Sequence, residues 1–333
     1  MVTVREALNQ AIDEEMKRDE RVFVLGEEVG VSGGSHGVTG GLYKKYGKWR
    51  VLDTPISEMG FTGLAVGASY LGLRPIVDFM TWNFALQSID HIINSCAKTL
   101  YMSGGKINCP IVFRGPNGFN PGYAAQHTQD FSSYYGAVPG LKVVAPYTAK
   151  DHKGLMKSAV RDENPVVFLE NETLYNDTYE NIEEGYVQPL DKAVVEIEGS
   201  DVTLIGISLS VKTCLEAAEA LGALGISCEV INLVSIRPID IQTILRSAMK
   251  TRCVFVVDFS WPSFSIASEL SATIHESCFG RLMAPVQRIN GKDTPTPYSK
   301  EIEKMAFPTS LDVVNSVMGI CREKLHKNNK SNL

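Results

Sequence analysis

Glu58 is the first residue whose type and setting suit chemistry, because it stands between a strand-like run and a segment of small and apolar residues, 61–73. We expect that segment to form a buried helix, which places Glu58 at the rim of a packed interior. A carboxylate there either takes part in proton transfer or is simply an acid favoured by the positive end of a helix. Spacing by itself favours the second interpretation.

His127 follows a loop, residues 114–122, in which glycine, proline and asparagine exclude regular structure. Loops at the carboxyl ends of parallel strands are where α/β sheets build their sites. Histidine titrates near neutral pH and therefore suits general acid or base catalysis. A lone loop histidine is at least as often a hydrogen-bonding surface residue. The other five histidines, His36 among them, have no comparable context.

Two further segments have both a functional and an ordinary interpretation. Met80 and Phe84 lie where a strand is expected to end, so the ring of Phe84 could stack on a planar cofactor or pack in the core. Pro165 ends a predicted helix. The free carbonyls there could bind a cation together with Asp162, although such a turn is more often a solvated helix end.

Short β-branched runs alternate with helix-length segments, and this alternation predicts parallel sheets covered by helices. The polar, acidic stretch 176–185 reads as a linker. We therefore expect a two-domain α/β protein, with domains at 1–180 and 201–333 and a linker at 181–200. Strands are expected at residues 21–25, 74–79, 109–114, 141–146 and 165–169, then at 202–207, 228–233, 253–257 and 286–289, with helices in the second domain at 212–223 and 264–276.

Composition excludes several classes of protein. The 333 residues carry a net charge of -6 without a basic block, so nucleic acid and membrane surfaces are not expected partners. Every apolar run is too short or too interrupted to span a bilayer. The seven cysteines form no Cys-x-x-Cys pair, which argues for free thiols and against zinc. Residues 30–41 lack the order of a phosphate-binding loop and read as a flexible loop.

Taken together, seven ordered segments closely resemble the beta subunits of the thiamine-diphosphate-dependent 2-oxo acid dehydrogenases, those of pyruvate dehydrogenase most of all. The similarity runs from about Val2 to the last helix. The segments are residues 25–29, 53–60, 79–84, 101–105, 111–118, 124–127 and 164–171. The resemblance implies a thiamine-diphosphate-binding fold followed by a transketolase C-terminal-like domain.

The resemblance also implies roles for individual residues. Glu58 would hydrogen-bond a pyrimidine nitrogen of thiamine diphosphate and promote deprotonation of its thiazolium carbon. Phe84 would pack on the pyrimidine with Met80 as an apolar wall, and His127 would face the 2-oxo acid and the lipoyl group. A structural potassium ion is implied at Ile111, Ala159, Val160, Asp162 and Asn164.

The resemblance implies that an alpha subunit holds magnesium and the diphosphate, which accounts for the absence of Gly-Asp-Gly from this sequence. The expected partners are that alpha subunit, in an alpha2beta2 heterotetramer, and a dihydrolipoyl acyltransferase core, with pyruvate and a lipoyl domain as substrates. The alternatives are a branched-chain 2-oxo acid or acetoin dehydrogenase beta subunit, or a non-catalytic interaction protein. A bacterial cytoplasmic location is expected, or else a mitochondrial matrix after removal of a presequence. Residues 32–41 and Trp82 depart from the usual family pattern.

Overall fold

The computed structural model describes residues 1–331, with side chains described for residues 1–320. The chain forms two compact units. The first comprises Met1–Asp191 and Val234–Pro238, and the second comprises Lys192–Leu233 and the chain from Ile239 onward. In the part of the chain that the structure describes, no helix is both long and apolar enough to cross a bilayer.

The first unit is built on a seven-stranded sheet. The strands of the whole unit are β1 (Val2–Thr3), β2 (Val22–Gly26), β3 (Val51–Asp53), β4 (Arg74–Asp78), β5 (Val112–Pro116), β6 (Lys142–Val144), β7 (Val166–Glu170), β8 (Thr178–Tyr179) and β12 (Ser235–Arg237). The sheet has the order β12-β6-β7-β5-β4-β2-β3, while β1 and β8 form a separate antiparallel pair. All neighbours in the large sheet are parallel except β12, which runs antiparallel to β6.

Helices of the first unit connect these strands. They are α1 (Val4–Arg18), α2 (Leu42–Tyr46), α3 (Glu58–Tyr70), α4 (Thr99–Met102), α5 (Ser132–Gly136) and α6 (Ala149–Arg161), with single turns at Ala85–Ser88, His91–Cys96, Ala125–His127 and Glu172–Leu174. Capping boxes start both α1 and α6, at Thr3 and Thr148, because each threonine and the acid three residues later satisfy each other's backbone N–H groups. As predicted, α6 ends before Pro165.

The second unit has a five-stranded sheet of order β14-β13-β10-β11-β9. Its strands are β9 (Val194–Ile197), β10 (Val202–Gly206), β11 (Cys228–Asn232), β13 (Val254–Asp258) and β14 (Gln287–Asn290), and its helices are α7 (Ser210–Ala223), α8 (Ile241–Thr251), α9 (Ile266–Cys278), α10 (Lys300–Glu303) and α11 (Ser310–Ser331). Only β9 is antiparallel to its neighbour. Both units thus have the predicted α/β architecture of mostly parallel sheets.

Three features differ from the sequence-based expectations. Strand β9 lies inside the stretch 181–200 expected to be a linker, and the chain returns to the first unit at residues 234–238. Helix α3 is not buried all round: Ile56 just before it is 84% exposed, and Met59 and Leu64 within it are 61% and 57% exposed. The chain by itself therefore leaves these apolar side chains open to solvent.

Candidate active site

Strands β2, β4, β5 and β7 are adjacent and parallel, so the loops that leave their carboxyl ends meet at one edge of the sheet. A cavity of about 360 Å³ lies among the loops that follow β2, β4 and β5 and the segment that follows β7. It is lined by Ser35, His36, Met80, Thr81, Asn83, Phe84, Pro116, Asn117, Gly118, Phe119, Asn120, Tyr123, His127 and Glu172. The structure thus brings together three residues singled out from the sequence, Met80, Phe84 and His127.

Phe84 and His127 make direct contact. Their ring centroids are 5.2 Å apart and their planes meet at 76°, an edge-to-face arrangement. His127 is exposed, whereas Phe84 is half-buried. The imidazole therefore stands at the open side of the cavity, where an incoming molecule can reach it.

Side-chain amides fix the loop that carries His127. Asn83 accepts hydrogen bonds from the backbone N–H of Gln129 at 3.2 Å and from its side chain at 3.3 Å. Asn171 donates to the carbonyls of Asn117 and Phe119 at 3.1 and 2.9 Å. The loop is thus fastened to the segments that follow β4 and β7, which are the same segments that supply other cavity residues.

Gly115 allows the Met80 segment to cross the end of β5. A Cβ at this position would lie 2.3 Å from the carbonyl oxygen of Phe79, a separation that atoms do not tolerate. The close approach permits backbone hydrogen bonds from Phe79 to Arg114 and from Trp82 to Pro116, each of 2.9 Å. Met80 lies between the residues that make these two bonds.

Glu58 begins α3 and is 6% exposed. It does not line the 360 Å³ cavity. Its carboxyl instead hydrogen-bonds that of Glu27, which directly follows β2. Burial raises the pKa of Glu27, and the charges of Glu58 and Asp78 raise it further. The raised pKa of Glu27 favours its neutral form, which can donate its proton to the carboxyl of Glu58.

Glu27 also has an unsatisfied atom. Its Oε1 is buried, and no other atom in the described part of the protein hydrogen-bonds it. A buried polar atom without a partner carries a free-energy penalty. Glu27 therefore has hydrogen-bonding capacity that the described part of the protein leaves unused.

A buried ion network lies behind the site. Arg114 is 2% exposed and donates from Nε to Glu170 at 2.6 Å and from its terminal nitrogens to Asp78, Glu170 and the hydroxyl of Tyr175. Burial raises the pKa of Asp78 to about 6, against the opposing charge of Arg114. For Glu170 burial also favours the neutral form, but the charge and hydrogen bonds of Arg114 outweigh it and lower the pKa. The network ties β4, β5 and β7 together beneath their loops.

The segment expected to bind potassium lies at the end of α6. Ala159, Val160, Asp162 and Asn164 lie there in sequence, and the carbonyl of Ile111 accepts a hydrogen bond from the backbone of nearby Val166 at 2.9 Å. Arg74 donates to the carbonyls of Val160 and Asp162 at 2.9 and 3.0 Å. Lys142 also forms an ion pair with the carboxylate of Asp162, so two positively charged side chains contact the oxygens of this segment.

Three residues of the site were missed from the sequence. Glu27 is the first residue after β2 and Glu172 is the second after β7, so a search for acids at the carboxyl ends of predicted strands would have found them. His36 was set aside for lack of context, yet it lines the cavity. Its loop is held by hydrogen bonds from Asn9 to the carbonyls of Val38 and Gly40 at 2.7 and 3.0 Å, in contrast to the flexible loop expected.

Two family models cover most of the chain. Residues 1–178 match the transketolase pyrimidine-binding domain, and residues 191–313 match the transketolase C-terminal domain. The chain is 53% identical to the mitochondrial pyruvate dehydrogenase E1 component subunit beta of Dictyostelium discoideum, over 95% of this chain and 90% of that protein. It belongs to the family of pyruvate dehydrogenase E1 beta subunits.

Other members of the family show a similar match. The E1 beta subunit of Rickettsia bellii is 52% identical over 96% of this chain and 98% of its own length. The relatives thus include bacterial as well as mitochondrial proteins. Among solved structures, an inactive beta4 tetramer of a split-gene transketolase covers 96% of this chain and 98% of its own, with a TM-score of 0.78 and 22% identity. That likeness concerns the fold.

Proposed function

We propose that this chain is the beta subunit of a pyruvate dehydrogenase E1 component. With an alpha subunit it would decarboxylate pyruvate oxidatively and transfer the acetyl group to a lipoyl group. The observation that carries the proposal is the identity of 52% to an E1 beta subunit over 96% of this chain. The arrangement of the first unit supports it, because Met80, Phe84 and His127 share one cavity.

Thiamine diphosphate is the cofactor we propose, and it would supply the carbanion chemistry of decarboxylation. The residues present fit its aminopyrimidine ring. Glu58 would hydrogen-bond a ring nitrogen, and the unsatisfied Oε1 of Glu27 marks the same carboxyl pair as open to a further partner. Phe84 would offer its ring for packing, with Met80 as the apolar wall. Magnesium and the diphosphate would be held by the alpha subunit.

The carboxyl pair explains how this chain could manage a proton. Because burial and neighbouring acids raise the pKa of Glu27, the pair tends to retain a proton that Glu58 can share with a ring nitrogen. A carboxylate exposed to water would retain a proton less readily, because bulk solvent would stabilise its charged form. Glu58 thus acts as a proton partner, and Glu27 keeps the proton available.

His127 would serve the reacting side of the site. It is exposed at the cavity and its ring is held by the edge contact with Phe84. From there it can donate a proton or a hydrogen bond to the 2-oxo acid or to the arriving lipoyl group. We propose this role in place of a purely structural one because the imidazole lines the cavity.

The exposed face of α3 supports a partner next to the site. Ile56, Met59 and Leu64 flank Glu58 and are all more than half exposed. Apolar side chains grouped in this way commonly mark a protein interface. We propose that the alpha subunit covers this face and completes the cofactor site at Glu58, within an alpha2beta2 heterotetramer that binds an acyltransferase core.

Substrate turnover tests the proposed activity. Once the chain is reconstituted with its alpha subunit, kcat/KM for pyruvate should exceed that for 2-oxoisovalerate at least about tenfold, since each extra methyl group in a fitted cavity costs about 1–3 kcal/mol. Both substrates are assayed with the same preparation, and the chain without alpha subunit serves as the blank. Faster turnover of 2-oxoisovalerate would assign the chain to branched-chain substrates instead.

A structural potassium ion at the end of α6 is a separate proposal, supported by the carbonyls gathered around Asp162. Binding to the folded protein alone should raise its free energy of unfolding by about 1–3 kcal/mol at saturating potassium. Denaturant unfolding in potassium chloride and in sodium chloride of equal ionic strength would measure this difference. Equal free energies of unfolding in the two salts would contradict the proposed potassium site.

A further inference from the structure

His36 and Glu172 form an ionisable pair on the wall of the cavity that the proposed mechanism does not use. The Nε2 atom of His36 lies 3.4 Å from a carboxyl oxygen of Glu172. Both side chains are largely shielded, with exposures of 28% and 16%. Glu172 also hydrogen-bonds Asn120, another residue of the cavity. The pair is therefore built into the site.

One proton between the two groups would satisfy both members of this pair. The ring of His36 bonds the backbone of Met80, and because this bond favours the charged imidazole its acceptor is the carbonyl. A neutral imidazole has a single N–H. Its other nitrogen would then present a lone pair to a carboxylate, which also presents lone pairs. The contact is favourable when a proton lies between the two groups.

The surroundings disfavour separate charges on the two residues. Burial, followed by the charge of Arg114, lowers the pKa of His36, and Arg5 acts in the same direction. Glu170 opposes these effects, and the ring of Tyr175 lies 5.6 Å from that of His36. Burial raises the pKa of Glu172. Removal of the shared proton would leave a net negative charge on the cavity wall.

We propose that His36 and Glu172 share one proton and that this pair controls the affinity of the cavity for an anionic substrate. Glu172 is the one residue with a carboxyl group among those that line the cavity. With the proton in place the pair has no net charge and tolerates a substrate carboxylate. Without the proton, Glu172 repels it. The inference rests on the proposed activity toward 2-oxo acids, which are anions.

Two variants give opposite expectations for the KM of pyruvate in the reconstituted enzyme. In the natural protein KM should rise by about tenfold in total as the pH is raised and the pair loses its proton. A change of this size is expected when one charge appears near the substrate in a partly buried site. Glu172→Gln removes the carboxylate and should keep KM low over the pH range in which the KM of the natural protein rises, because His36 alone then titrates at lower pH. His36→Gln removes the shared proton and should raise KM at all pH values above the titration of the lone Glu172. The kcat values should change less than threefold, as expected for an effect on binding.

His275→Gln is the matched control, because His275 does not line the cavity. It should keep the natural pH profile of KM. A profile for Glu172→Gln that equals that of the natural protein would overturn the inference. So would a large fall in kcat with unchanged KM.

A second measurement does not depend on turnover. Nitrogen-15 NMR of the histidine side chains follows the titration of His36 in the full chain. Glu172→Gln should shift that titration to lower pH, because the imidazolium loses its anionic neighbour. An unshifted titration would refute the pairing itself. A shifted titration combined with no turnover of any 2-oxo acid would instead refute the proposed activity and retain the pair.

Discussion

Glu58→Gln is expected to lower turnover of the reconstituted enzyme by about 10²- to 10⁴-fold, the usual effect of losing a general acid or base. The side chain is 6% exposed and hydrogen-bonds Glu27. Glutamine has nearly the same shape, so the packing at the start of α3 should persist. What the variant loses is a carboxyl group that can hold and share a proton. Stopped-flow and steady-state assays with pyruvate would measure the loss.

Glu20→Gln is the matched control for this substitution, because Glu20 is an exposed acid that precedes β2, at the end of the strand opposite to Glu27. Its turnover should equal that of the natural chain. Circular dichroism of both variants would show whether the fold is retained. Near-normal turnover of a correctly folded Glu58→Gln enzyme would mean that Glu58 only satisfies the local hydrogen bonds of the first turn.

Much of the fold could be predicted from the sequence because its strands are short, β-branched and buried on both faces. For example, the run expected at 202–207 is observed as Val202–Gly206, and the run at 228–233 as Cys228–Asn232. Strands in the middle of a parallel sheet carry this signal along their whole length. Their parallel direction also follows from the alternation with helices.

The antiparallel strands were not predictable in the same way. Strand β12 has only three residues, and it pairs with β6, which is distant in sequence. No local sequence pattern therefore predicts the pairing. Strand β9 is only half-buried and lies in a polar region, which made it resemble a linker. Both lie at the edges of their sheets, where burial and hence hydrophobic patterning are weakest.

In the site, too, residues within recognisable local segments could be predicted, whereas contacts between distant segments could not. Met80, Phe84 and His127 were found because each follows a strand in a recognisable segment. The carboxyl pair of Glu27 and Glu58 depends on two segments that meet only after folding. Helix α3 differs from its prediction. Its apolar composition predicted a buried helix, whereas the chain alone leaves several of its side chains exposed. Its exposed face is accounted for if a partner subunit covers it.

The central claim is that this chain holds only part of a cofactor site. Under the proposed function, the carboxyl pair, Phe84 and Met80 would bind an aminopyrimidine ring, whereas the diphosphate and magnesium would depend on the alpha subunit. Charge-assisted hydrogen bonds contribute about 1.5–3 kcal/mol each. Loss of two such bonds weakens binding by at least about 100-fold.

Isothermal titration calorimetry with thiamine diphosphate and magnesium tests this claim most directly. The isolated chain should bind the cofactor at least about 100-fold more weakly than the chain mixed with its alpha subunit, which should bind one cofactor for each pair of subunits. Equally tight one-to-one binding by the isolated chain would contradict it.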